Sequence, residues 1–277
     1  MSRFASLAVL ALVLHPAVAR AADLPRIASI NLCTDQLLMT LADPRQILGL
    51  SPFSRDPSQS WDAVKAAQFL RLSGEAEDVL ILKPDIVVAG DYTKRTTREL
   101  LKDNGLRVEE FTYPRSLDEV KDQMRRMGDL VGHADRASDE IAKLDIAIAD
   151  ARNAATGKPT RVLVLSRRGW VTGGDSLANS LLNAAGLKNA AGDLGFAFGG
   201  FTSLEGIISF KPDLLLVSDN SNVAEDEGQA FLLHPALEKF YPASKRIALP
   251  ERMTVCGGSM LIDALKRLTA ELQRVGR

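Results

Sequence analysis

The sequence predicts an α/β protein of two parallel-sheet lobes joined by one long helix, on three observations. First, residues 77–88 and 205–216 repeat one unit: an acidic residue (Glu77, Glu205) opens an apolar turn of helix, Lys-Pro-Asp stops it, and a run of apolar residues follows. Proline enforces the stop, because it pushes the preceding residue out of the helical region and cannot continue the hydrogen-bond ladder. Second, apolar runs without polar alternation recur between helical segments, the mark of parallel strands covered on both faces. Third, residues 134–156 contain neither proline nor glycine and mix Ile141, Leu144, Ile146 and Ile148 with alanines and charges, a helix of roughly 30 Å at 1.5 Å per residue. Two copies of one unit flanking such a helix imply two similar lobes and a rigid connector.

The expected boundaries are a signal peptide over 1–21, a lobe over 22–133, the connecting helix over 134–156 and a second lobe over 157–277. Arg3 precedes an apolar run that ends at Leu14, and Ala19-Arg20-Ala21 offers the small residues of a cleavage site. That run is too short to span a bilayer, which needs about 20 residues. Removing Arg3 and Arg20 takes the formal charge from −1 to −3, too mild to favour nucleic acid or an anionic membrane. A free periplasmic monomer is expected.

In chain order, 26–32 reads as a strand and Thr34 as the cap of a helix over 35–42. A short strand at 47–50 leads into a turn-rich loop, 51–58, carrying Phe53 and Arg55. A weak helix over 61–69 precedes the first repeat unit, whose strand ends at Gly90 and is followed by Tyr92. A helix to Asn104-Gly105, a strand over 107–113 and a helix from Ser116 to Val131 complete the lobe. The second lobe begins with a strand at 161–165 and the loop 166–170, with Arg167, Arg168 and Trp170. A helix opened by Gly173-Gly174-Asp175 follows, then a glycine- and phenylalanine-rich segment ending in Phe201, and the second unit with Thr202 and Glu205 spaced as a capping box. Residues 219–228 read as a polar loop. A last strand at 246–249 leads through Arg252, Met253 and Cys256 into the terminal helix.

Ligands of parallel sheets bind beyond the carboxyl ends of the strands. The candidate binding residues there are Cys33, Phe53, Arg55, Tyr92, Arg168, Trp170, Phe201, Arg252 and Met253, a set rich in aromatics and cations and poor in carboxylates. It favours binding over proton transfer, although a lone tryptophan or a pair of arginines is as often a rim aromatic and solvated charges. Glycine-rich turns lack dinucleotide or P-loop spacing, no nucleophile elbow is present, and only His133 and His234 lie outside the leader. No catalytic residue, resident metal or cofactor is expected, so a metal would arrive inside a chelate. Cys33 and Cys256 are candidates for a disulfide, for ligation of a soft metal centre, or for small buried residues.

With the Asn31-Leu32-Cys33-Thr34-Asp35 turn, the twin Glu and Lys-Pro-Asp units and the long helix between them, the mature chain resembles the periplasmic binding proteins of the cobalamin and ferric-siderophore type, which serve ABC importers. The resemblance implies a metal chelate held between two lobes, with cobalamin or another corrinoid slightly ahead of a ferric siderophore. It also implies docking of Glu77 and Glu205 onto the permease dimer. Where cobalamin binders place aromatics a few positions before each docking glutamate, this chain has Arg71 and Gly199. The alternatives are a haem-binding protein using Tyr92, a thiol-dependent metallochaperone or enzyme using Cys33 and Cys256, and a binding protein docking on a receptor.

Overall fold

The computed structural model describes residues 24–155, 159–218 and 227–276. The expected signal peptide and most of the expected loop over 219–228 lie outside these residues.

In the first lobe, β1 (Ile27–Ser29) leads into α1 (Leu32–Leu41), and β2 (Ile47–Gly49) follows. Next come α2 (Ala63–Ala66), α3 (Ala76–Leu82), β3 (Ile86–Gly90), α4 (Arg95–Asp103), β4 (Val108–Phe111) and α5 (Leu117–Val131). The sheet is parallel, in the order β2-β1-β3-β4. The connector α6 (Ala134–Ala154) buries Ala137, Ile141, Leu144, Ala147 and Ala151, one stripe at helical spacing, and packs along α5.

The second lobe contains β5 (Arg161–Val164), β6 (Trp170–Thr172), α7 (Leu177–Ala184), β7 (Lys188–Asn189), β8 (Gly199–Phe201), α8 (Leu204–Phe210) and β9 (Leu214–Val217). It ends with α9 (Glu227–Ala230), α10 (Pro235–Phe240), β10 (Arg246–Ala248) and α11 (Met260–Arg274), which lies against α6. Its main sheet, β10-β9-β5-β7, repeats the first in reverse listing: opening strand beside the unit's strand, with the last strand outside it. The expected two-lobe α/β arrangement is therefore the one observed.

Alternation along the strands divides each sheet between two cores. Ile86 and Val88 of β3, and Leu214 and Leu216 of β9, face one large core that also contains residues of α1, α5, α6, α7 and α11 and so runs between the sheets. Val87 and Ala89, and Leu215 and Val217, face separate outer cores under α3 and α8. Both faces being covered explains why the strands read as unbroken apolar runs.

Several local expectations are corrected. Asn31, not Thr34, caps α1: its Oδ1 accepts from the Cys33 and Thr34 N–H groups at 2.9 and 3.4 Å, while the Thr34 hydroxyl bonds back to Asn31 O and pairs with Ser29 Oγ. The helix over 61–69 shrinks to α2, because only Asp62 caps it and its residues then turn tightly toward buried Phe69. α7 starts at Leu177, where Ser176 Oγ accepts from Asn179 N, since Gly173, Gly174 and Asp175 instead donate to the backbone of 196–198. Ser203, not Thr202, caps α8 by accepting from Gly206 N at 3.1 Å; Thr202 N is bound to Gly169 O, which keeps that residue in an extended segment.

Candidate functional site

The carboxyl ends of both sheets meet at two adjoining hollows that share Tyr113. The larger, about 380 Å³, is lined from the second lobe by Ser166, Arg167, Trp170, Thr172, Ser176, Glu251, Thr254 and Val255, and from the first by Tyr113. Its size falls within the range of small-molecule sites. The smaller is bounded by Asn31, Cys33, Gly90, Asp91, Tyr92 and Tyr113 of the first lobe. Close packing shapes its floor: a Cβ on Gly90 would stand 2.6 Å from the Asn31 amide nitrogen, so only glycine lets the capping asparagine sit there.

The second-lobe wall is an antiparallel ribbon that departs from the parallel pattern. After β5 the chain reverses through Arg168 and Gly169, both at positive φ (60° and 77°) as a primed hairpin turn requires. Ser166 N donates to Trp170 O. β6 then pairs with β8, placing Trp170 opposite Phe201 with ring centroids 5.0 Å apart and edge to face, while Val171 between them points into the core. Phe201 and Phe198 remain exposed, at 66% and 71%. Exposed aromatic ledges of this kind mark contact surfaces.

On the first-lobe side, Tyr92 is 83% exposed and meets half-buried Tyr113 edge-on at 6.3 Å. The Asp91 carboxylate accepts from Tyr113 N at 2.8 Å and ties the Tyr92 turn to the end of β4. Burial raises the Tyr113 phenol above its usual range, with nearby Tyr92 and Glu251 adding to the effect.

The structure brings Cys33, Tyr92, Trp170 and Phe201 to the hollows or their rim. Cys33 contributes only as a disulfide, since its Sγ is bonded to that of Cys256. With no free cysteine in the chain, the thiol-dependent metallochaperone or enzyme loses its nucleophile and its ligands. Arg168 sits at the hairpin tip and its neighbour Arg167 lines the cavity instead. Arg252 is half-buried on a short turn beside the lining residues Glu251 and Thr254, and Met253 packs against the large core. Phe53 and Arg55, in the loop over 51–58, lie outside both hollows, and the Arg55 guanidinium donates to Phe69 O beyond α2. That loop is anchored by Asp35, fully buried, whose carboxylate accepts from Ser51 N at 3.0 Å and from Ser51 Oγ at 2.5 Å. Burial pushes the Asp35 carboxyl up to about 7 against the lowering effect of these bonds.

Tyr113, Ser166, Thr172, Ser176, Glu251 and Thr254 were not singled out by sequence reasoning. Tyr113 is within reach of it, as an aromatic at the end of a predicted strand; Ser166, Thr172 and Ser176 depend on the β6–β8 ribbon, and Glu251 and Thr254 on how the 251–255 segment folds back.

Glu77 and Glu205 occupy the same second helical position, in α3 and α8, and both are exposed. Hydrogen bonds from its own N–H and from Ser203 hold the Glu205 carboxyl below its usual range.

Residues 27–247 match the family model described as periplasmic binding protein. A cobalamin-binding protein of Halobacterium salinarum is 27% identical over 198 residues, covering 69% of this chain and 53% of that protein. The chain thus spans about half the length of the curated relatives it matches. Among solved structures, the apo periplasmic heme-binding protein RhuT from Roseiflexus sp. RS-1 superposes with a TM-score of 0.73 at 24% identity, covering 91% of this chain and 99% of that one. The periplasmic heme-binding protein HutB of Vibrio cholerae gives 0.74 at 19% identity, over 89% and 98% of the two chains. At these identities the two superpositions speak to the fold. No helix among the described residues is long and apolar enough to cross a membrane.

Proposed function

The chain belongs to the periplasmic binding protein family, and from that premise we propose that it captures a metal chelate between its lobes and delivers it to an ABC importer. The observation that carries this reading is a hollow of about 380 Å³ at the strand ends of both lobes, lined by one ring from each of two aromatic pairs: Trp170, stacked edge-on with Phe201, and Tyr113, stacked edge-on with Tyr92. Flat apolar faces with Arg167 at the margin suit a large, partly planar and partly anionic ligand. A corrinoid or a ferric siderophore fits this description, and the likeness to a cobalamin-binding protein supports the former. The metal is cargo. No bond is made or broken in this cycle; Glu77 and Glu205 engage the two permease subunits and the protein works in the periplasm.

Haem is the second reading, and Tyr92 favours it: an exposed phenol beside a second tyrosine could ligate the iron of a porphyrin lying against Trp170. Tryptophan-fluorescence titration with cyanocobalamin, a panel of ferric siderophores and haemin, corrected for ligand absorbance, tests the proposal. Saturable quenching at micromolar or tighter affinity, lost in Trp170→Ala, is expected for one of them. Haemin binding that Tyr92→Phe weakens, with a shift of the porphyrin absorption band, would select haem; no binding across the panel would overturn the metal-chelate reading.

A further inference from the structure

The backbone passes between the two sheets once, through α6. The Cys33–Cys256 disulfide, bridging a sequence separation of 223, is a second covalent connection between the lobes, and it lies at the cleft. Cys33 bounds the smaller hollow, and Val255, next to Cys256, lines the larger. The packing around the bond is interlocked. Cys256 is buried; a Cβ on Gly257 would stand 2.5 Å from Val120 Cγ2 and 2.9 Å from Pro114 Cγ, both of the first lobe; and Ser259 Oγ donates to Glu140 of the connector at 2.6 Å. Residues 256–259 are thus seated against the first lobe and the connector, and the stretch that runs into them supplies Glu251, Thr254 and Val255 to the larger hollow.

We propose that the Cys33–Cys256 disulfide is a positioning element for ligand capture: it holds the 251–255 wall in register with Tyr113 and Tyr92, so that both halves of the cleft are assembled before the ligand arrives. The bond spares the ligand the cost of ordering that wall, and preorganisation of this kind appears as affinity. The lobes, tied at α6 and at Cys33–Cys256, then rock about a fixed floor instead of opening about α6 alone. The affinity part rests on the metal-chelate reading; the ordering part does not.

Three samples test it: the oxidised protein, the Cys33→Ser/Cys256→Ser variant, and oxidised protein treated with a dithiol, which becomes a cyclic disulfide as the two cysteines take up its electrons and protons. Hydrogen exchange is read at Thr254 N and Val255 N, which donate to Glu251 O, against strand amides such as Leu165 N, which donates to Leu216 O. Titrations use cyanocobalamin, ferric siderophores and haemin, well below the unfolding temperature. Loss of the bond is expected to speed exchange in the 251–259 segment by about tenfold beyond any change in the strands, and to weaken the bound panel member by about tenfold. Equal exchange in the segment with and without the bond would overturn the proposal, as would faster exchange with unchanged affinity. Faster segment exchange with no panel member bound by any sample would overturn the metal-chelate reading and leave the ordering role supported. If the double variant does not fold, the dithiol-treated protein supplies the same comparison.

Discussion

The two lobes use the same unit to build their scaffolds and different devices to build their cleft walls. In each unit the lysine takes a left-handed conformation, Lys83 at φ 48°, ψ 59° and Lys211 at φ 53°, ψ 59°, and ends the helix. The proline is then buried, and the aspartate carboxylate accepts the backbone N–H of the residue that opens the lobe: Asp85 from Arg26 N at 2.7 Å, Asp213 from Arg161 N at 2.8 Å. Asp85 N and Asp213 N return bonds to the same two residues' carbonyls. Lys-Pro-Asp is therefore a clasp between a helix end and a first strand. The walls share nothing comparable. The second lobe inserts the β6–β8 ribbon with Trp170 and Phe201, whereas the first relies on a tyrosine pair tied to the end of β4 by the Asp91 carboxylate. Equivalent clasps hold equivalent frames, and the cleft is walled by the parts that are not equivalent.

The comparison is broken most severely at Glu77 and Glu205. If Glu77 and Glu205 are matched handles, Glu77→Arg and Glu205→Arg should each cut uptake, and together abolish it with ligand affinity unchanged, a fall of roughly a hundredfold. Undiminished uptake by the double variant would remove the functional half of the symmetry.

Asp35 has no described counterpart in the second lobe, and it should make the first lobe respond to pH. Its folded value, about 7, lies above its ordinary 3.8, so the native state binds the proton more tightly. The stabilisation is full below about pH 4, fades as pH rises through 7, and is absent above. Asp35→Asn should flatten this slope and be more stable than the parent at pH 8, by up to about 4 kcal/mol at 1.36 kcal/mol per unit. Urea melts of both proteins at pH 4 and 8 would show it; parallel slopes would refute the assignment.

Smaller differences lie at the helix starts. Ser203→Ala should cost about 1 kcal/mol, the usual price of a lost cap. α3 has no side-chain cap, Glu75 standing at that position, and its start is held instead by the Asp78 carboxylate accepting Ser73 N. Ser73→Ala keeps that backbone donor but removes the hydroxyl's bonds with Glu75 N and the Asp78 carboxylate, so it should cost a comparable amount. Smallest of all, Lys83→Gly and Lys211→Gly should shift stability by the same amount, a gain of roughly 0.5 kcal/mol as relief of the left-handed strain outweighs added unfolded-state freedom. Unequal shifts in thermal melts would show that the two clasps differ.

What the sequence determined by itself was the frame. The twin units, the connector α6 and α5 with its Ser116 cap were legible because they rest on interactions within a few residues: proline sterics, helical spacing of apolar side chains, a hydroxyl three residues from an N–H. Two-sided burial of the strands was legible for the same reason, since Ile86 to Ala89 face two cores in turn. The cleft was decided by tertiary structure. That β6 would pair with β8 and bring Trp170 to Phe201 depends on strands separated by a whole helix, short enough to carry no periodicity of their own. The pairing of Cys33 with Cys256, the seating of Gly257 against Val120, and the choice of Tyr113 and Thr254 over Phe53 and Met253 as lining residues follow from the docking of segments more than a hundred residues apart. Local sterics set which elements form, while burial and closure across the lobes set which side chains face the cleft, and no window of sequence contains both partners of such a contact.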